Sequence, residues 1–170
     1  MSPAVGLWAR IALGTALALA LLLVLAPARP AVRLPWPTAA GIGGVAGILL
    51  FVAVTRRFPT LPRPARPLPL LLAKLAFFGL WAANEEVLWR RVALGELLAT
   101  GAVPAFAGST VGFALMHRTR RGLHLCTGSA FGALYLTTGV LAASVAAHWT
   151  YNVLVGALVD RERHRAHAPP

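Results

Sequence analysis

Six apolar stretches, separated by proline, glycine and arginine, set the plan of the chain. The first covers residues 7–26 and is interrupted only by Arg10, which lies near its end and can snorkel beside Trp8. Residues 38–54 form the second, and a third runs from 68 to about 98. Stretches at 103–117, 122–138 and 140–159 complete the set. A bilayer asks for ~20 mostly apolar residues per crossing helix, so each stretch meets or approaches a span. The third is too long for one upright helix and predicts either a strong tilt or a span followed by a bend or a short second helix. The breaks agree with this division: prolines at 27, 30, 35 and 37, a Pro/Arg segment at 56–67, Gly101 with Pro104, the segment 118–122, and Gly139. The pattern predicts an all-α, polytopic membrane bundle of about six transmembrane helices.

The first run also carries the outline of a signal peptide, with Arg10 ahead of it and Ala26-Pro27-Ala28 at its end. Its length and the proline inside the cleavage pattern favour an uncleaved helix. Organisation follows from the same breaks. Residues 1–67 hold two helices and a Pro/Arg-rich cytoplasmic loop, 68–160 the main helical core, and 161–170 a basic cytoplasmic tail. Small-residue pairs at Gly43/Gly47, Gly108/Gly112 and Gly128/Gly132 have the spacing that lets membrane helices approach closely.

Composition sharpens the class. Hydrophobic residues make up 58% of the 170, charged residues only 12%, and mean hydropathy is +0.70. Soluble domains carry about 25% charged residues, so a water-soluble enzyme is excluded. The net charge of +11 would raise the question of nucleic acid in a soluble chain. Here the arginines lie between apolar runs, where cytoplasmic loops and anionic headgroups of membrane lipids account for them, and no nucleic-acid partner is expected. With six crossings, ten loop arginines (56, 57, 63, 66, 118, 120, 121, 161, 163, 165) fall on one side and two (29, 33) on the other. Both termini are therefore expected in the cytoplasm. The Arg/Ala/Leu-rich composition points to a bacterial plasma membrane. Cys126 is the single cysteine and permits no internal disulfide.

Candidate chemistry comes from polar residues where they are expensive. Of the five acids, Asp160 and Glu162 lie in the tail, while Glu85, Glu86 and Glu96 fall inside the third apolar run. Glu86 and Arg90 are i and i+4, with the acid N-terminal as a helical ion pair prefers. Glu85 lies about 100° round the helix and is left free to face a cavity. A charge network that only locks helices together accounts for the Glu pair equally well. Glu96 reads as interfacial. His164 and His167 belong to the tail, and His124, at the start of the fifth stretch, reads as a surface residue. His117 closes the fourth stretch. His148 and Asn152 lie i and i+4 on one face of the last, which is hard to reconcile with a lipid-facing surface.

Carboxylate and imidazole together can deprotonate a water and protonate a leaving amine, and an asparagine or second histidine can donate to an oxyanion. Such a set hydrolyses peptide bonds without a serine or cysteine nucleophile. The same groups, Glu85, His117 and His148, could hold zinc with one position left for water, so no metal and zinc both remain open. Ser109, Ser129 and Ser144 read as small packing residues.

Glu85-Glu86-Val-Leu-Trp-Arg90 resembles the EExxxR motif of the CPBP intramembrane proteases, Phe113-Ala-Leu-Met-His117 their FxxxH motif, and His148-Trp-Thr-Tyr-Asn152 their HxxxN motif. That family takes in type II CAAX prenyl endopeptidases, Abi proteins and bacteriocin-processing proteins. The resemblance covers residues 70 to about 158 and leaves the first two helices outside. It implies a membrane protease acting near the cytoplasmic face on a peptide or protein substrate, such as a lipidated C-terminus or a leader peptide. By position, Glu85 would activate the water with His117, His148 and Asn152 would orient the carbonyl and stabilise the oxyanion, and Glu86 with Arg90 would support them. Members are described both as metalloproteases and as metal-independent glutamate proteases. Where a glycine often follows the motif arginine, this chain has Arg91, which is expected to alter the helix bend. Two other classes stand beside the protease: a non-proteolytic membrane-binding or bacteriocin-immunity protein, and a proton or ion pathway component.

Overall fold

The computed structural model describes residues 3–59 and 67–166. Among them there is no strand, and six main helices follow one another: α1 (Pro3–Val24), α2 (Trp36–Thr55), α3 (Leu68–Glu86), α4 (Ala102–Met116), α5 (Arg121–Thr138) and α6 (Leu141–Ala166). Arg63, Arg66 and His167, on which the sequence-based reading drew, lie outside the described residues. Proline opens several helices from within the first turn, as Pro37 does in α2 and Pro104 in α4, where its missing N–H would have had no helical partner. Gly139 ends α5 at φ 68°, and a Cβ there would lie 1.5 Å from the Val32 carbonyl oxygen, so the α5–α6 corner admits glycine alone.

The long third run is one continuous helix over Leu68–Thr100 rather than a span with a separate second helix. After Glu86 it widens into π-helix over Val87–Leu94, returns to α over Gly95–Leu97 and closes in a 3₁₀ turn. Arg91 sits in this widened stretch and donates from Nη1 to the carbonyls of Pro27, at 2.6 Å, and Ala28, at 3.1 Å. At mid-height Asn84 Nδ2 donates to Thr15 Oγ1, 3.0 Å away, and to the Ile11 carbonyl at 3.3 Å. Polar bonds thus tie the long third helix to α1 at one level and to the loop after α1 at another.

Six spans were expected, yet four of the described helices are long and apolar enough to cross a membrane: α1, α2, the extended α3 and α6. α4 has only 15 residues, about 22 Å at the helical rise, which falls short of the ~30 Å hydrocarbon core. α5 opens on Arg121, His124, Cys126 and Thr127, a polar first half. The two form a hairpin whose turn lies at residues 117–120. Parity is unaffected, because a hairpin that dips and returns counts as two or as none. Contacts at the two ends agree. Leu34 donates to the Thr138 carbonyl at 2.9 Å beside the Arg91 contacts at one end. At the other, Arg57 pairs with Glu162 at 2.7 Å and Lys74 with Asp160.

Small residues make the seams. Added Cβ atoms on Gly43 and Gly47 of α2 would meet the carbonyl oxygens of Ala143 and Ala147 of α6 at 2.0 and 2.5 Å. On α4 and α5, Gly112 receives the Trp89 ring and Gly128 the Phe113 ring. Ser109 is buried and donates to the Trp89 carbonyl at 2.7 Å. The α2–α6 seam fixes the height of the residue after Ala147, which is His148.

Candidate active site

Glu85 and Glu86 occupy the last regular turn of α3, just ahead of the π-helical stretch. Glu86 is wholly buried with Arg90, its Oε2 lying 3.1 Å from Arg90 Nε. The contact is close but not aligned as a hydrogen bond, and Arg90 Nη1 also has no hydrogen-bond partner among the described residues. Arg90 is held instead by its charge, by donation from Nη2 to the Gly128 carbonyl at 3.0 Å, and by the Phe113 ring, 4.8 Å from the guanidinium carbon. The expected i, i+4 pair is present.

Glu86 has a second partner that sequence spacing did not indicate. His148 Nδ1 donates to Glu86 Oε1 at 2.9 Å, and the imidazole lies flat on Phe131, centroids 4.6 Å apart at 16°. A carboxylate beside Arg90 accepts, so Nδ1 carries a proton and Nε2 points the other way, 3.7 Å from Glu85 Oε2.

His117 is the C-cap of α4 with an extended backbone, φ −91° and ψ 119°. Its Nδ1 lies 2.8 Å from the Phe113 carbonyl oxygen, which can only accept, so the proton sits on Nδ1. The remaining nitrogen, Nε2, faces Glu85 Oε1 at 4.0 Å. That same oxygen accepts from Trp81 Nε1 at 2.7 Å, one helical turn earlier on α3. Sequence reasoning passed over Trp81, although the i, i+4 spacing to Glu85 was there to be read.

A cavity of about 100 Å³ opens on these groups, lined by Glu85, His117, His124, His148, Tyr151 and Asn152 among others. All four residues assigned to chemistry from the sequence reach it, from α3, the α4 C-cap and α6. His124 corrects the surface reading: it lines the cavity and its ring stacks on His117, centroids 3.7 Å apart at 17°. The cause is the hairpin turn, which folds the first turn of α5 back along the last turn of α4. His124 stands on the far side of that turn from His117, and only the short connection at 117–120 hinted that the two meet. Glu96, by contrast, is exposed near the far end of α3, as expected of an interfacial residue.

The donor set of two imidazole nitrogens and a carboxylate has the chemistry for zinc. Its spacing does not fit: among the described residues no three His, Cys, Asp or Glu side chains lie close enough together to hold a metal ion.

Residues 66–154 match the family model of the type II CAAX prenyl endopeptidases, Rce1-like, a stretch that contains every residue of the cavity named above. No curated protein and no solved structure matches the chain.

Proposed function

From the premise that the chain belongs to the Rce1-like family of type II CAAX prenyl endopeptidases, we propose that it is an intramembrane endopeptidase whose water is activated by Glu85. The observation that carries the reading is the pair of imidazole Nε2 atoms facing Glu85, from His117 at 4.0 Å and His148 at 3.7 Å, while the neighbouring carboxylate is already occupied. Trp81 takes up part of Glu85 Oε1 and leaves the rest of the carboxylate for a water.

In the proposed reaction a water donates one hydrogen to Glu85 and the other to His117 Nε2. Glu85 takes the first proton as the water oxygen bonds to the substrate carbonyl carbon. The Asn152 amide and His148 Nε2–H donate to the developing oxyanion. In this role His148 carries protons on both nitrogens, with Glu86 balancing the charge through Nδ1. The proton held by Glu85 then passes to the amine nitrogen as the C–N bond breaks, which leaves a carboxylic acid and a free amine; the acid's proton, the second one of the attacking water, then leaves through His117 Nε2 to solvent and the carboxylate results. The substrate is a peptide or protein at the membrane, reached from the cytoplasmic side where the basic turn of Arg118, Arg120 and Arg121 lies.

The test is cleavage by the purified chain in detergent, offered a farnesylated peptide ending in a CAAX box and a membrane leader peptide. Wild type is expected to cut one of them and Glu85→Gln neither. Cleavage by Glu85→Gln at the wild-type rate overturns the assignment.

A further inference from the structure

His117 is less firmly built into the fold than the other groups of the site. It caps α4 outside the helical backbone, and one hydrogen bond, Nδ1–H to the Phe113 carbonyl, anchors its ring. A single hydrogen bond fixes the tautomer but acts as a hinge about its own axis. Turning on that hinge would carry Nε2 away from Glu85, which at 4.0 Å lies beyond direct hydrogen bonding and needs both groups aimed at one water.

Two rings restrict the turn. Phe113 lies 4.7 Å away, tilted at 55°, and His124 lies parallel at 3.7 Å and 17°. A ring stacked in parallel blocks out-of-plane swing, which a tilted neighbour does not. We propose that His124 is a positioning residue for His117, its flat ring holding the His117 imidazole in the plane that aims Nε2 at the water on Glu85. The inference rests on the protease reading of the site and adds a residue that lies outside the three motifs.

Packing alone is a poor account of His124. The α4–α5 seam is already made further along, where Phe113 seats on Gly128 and Phe106 on Gly132, and where Arg90 donates to the Gly128 carbonyl. His124 sits one turn beyond this seam, half-buried on the cavity wall. Removing its ring leaves the Gly128 and Gly132 contacts in place and frees His117, at the loss of one edge contact to Phe113, 5.9 Å away.

The experiment compares wild type, His124→Ala and His124→Phe as full chains in detergent, by cleavage of the farnesylated CAAX peptide, by thermal melting, and by nitrogen NMR of the histidine rings with His117 assigned through His117→Gln. His124→Ala is expected to lower kcat about 10- to 100-fold with KM within about twofold, since misaimed groups lose rate rather than binding. His124→Phe keeps a flat ring and is expected to stay within about threefold of wild type. The His117 ring signals should move in His124→Ala and return in His124→Phe. Wild-type kcat in His124→Ala overturns the proposal, as does equal damage in both variants, or a rate loss in His124→Ala matched by an early melt. If wild type cuts no peptide, the protease reading fails, while the His117 signals still decide whether His124 sets that ring.

Discussion

Glu85 and Glu86 are the same residue type, one position apart on one helix, yet they sit in two different regions of the molecule. Glu86 lies in a sealed pocket with no exposure, between Arg90 and His148, and beside the rings that flank the guanidinium. Glu85 faces a cavity, accepts from Trp81 and meets two further imidazole nitrogens only at 3.7 and 4.0 Å. The difference teaches that a membrane carboxylate takes its role from the partners within fixed reach. One is neutralised by a cation of its own helix and becomes part of the fold. The other keeps hydrogen-bonding capacity in reserve and becomes available for chemistry. The regions are not independent, because His148 spans them with Nδ1 on Glu86 and Nε2 toward Glu85.

The largest expected effect tests the open side. Glu85→Gln keeps an oxygen to accept from Trp81 but cannot take a proton, and loss of a general base costs about 10²–10⁴ in rate. Initial rates on a cleaved peptide should fall by that factor with the melting temperature unchanged. If the variant instead melts early and retains its rate, the two carboxylates have exchanged roles.

On the sealed side the expected loss is in stability. Glu86→Gln leaves Arg90 buried without its counter-charge, at about 3–5 kcal/mol, and Arg90→Met strands Glu86 in the same way. Thermal melts in detergent read both. The double change Glu86→Gln with Arg90→Met removes both charges and should recover part of the single losses. Additive losses would mean that no ion pair holds this pocket.

The helical class, the breaks between elements and four residues that meet at the cavity, Glu85, His117, His148 and Asn152, were legible because each shows in the local pattern. Apolar runs end at Pro and Gly, Glu86 and Arg90 stand i and i+4, and His148 and Asn152 repeat that spacing. What escaped depends on non-local contact. The bond from His148 to Glu86 joins positions 62 apart, and the stacking of His124 on His117 depends on how tightly the hairpin turns. The span count differed by two because the run-by-run reading took α4 and α5 as crossings, although α4 has too few residues at 15 and α5 has a polar first half. The effect of Arg91 was anticipated as a bend. Its target, the carbonyls of Pro27 and Ala28, lies in the loop after α1 and had no trace in the local sequence.

A smaller effect probes how the two regions are kept in register. Gly43→Ala sets a methyl 2.0 Å from the Ala143 carbonyl oxygen, a backbone atom that can yield only if α2 and α6 separate. Overpacking of this kind costs about 1–3 kcal/mol. Because α6 carries His148, a shift there should lower kcat as well as the melting temperature. Lowered stability with an unchanged rate would show that His148 is held by Glu86 and Phe131 alone, independent of the seam.

The smallest effect expected concerns the one bond that orients Glu85 from its own helix. Trp81→Phe removes the Nε1–H donor, 2.7 Å from Oε1, while preserving a ring to stack on Phe77, 5.9 Å away. A hydrogen bond to a charged acceptor contributes about 1.5–3 kcal/mol. Part of that is recovered when a water takes the donor's place in the cavity, so about 1 kcal/mol, or roughly fivefold in rate, should remain. The loss should fall on kcat, since Trp81 orients the base rather than gripping the substrate. Stability should hardly change, because the freed oxygen faces the cavity rather than a sealed pocket. If Trp81→Phe instead destabilises the chain as strongly as Glu86→Gln, Glu85 is as closed in as its neighbour, and the distinction between the two carboxylates fails.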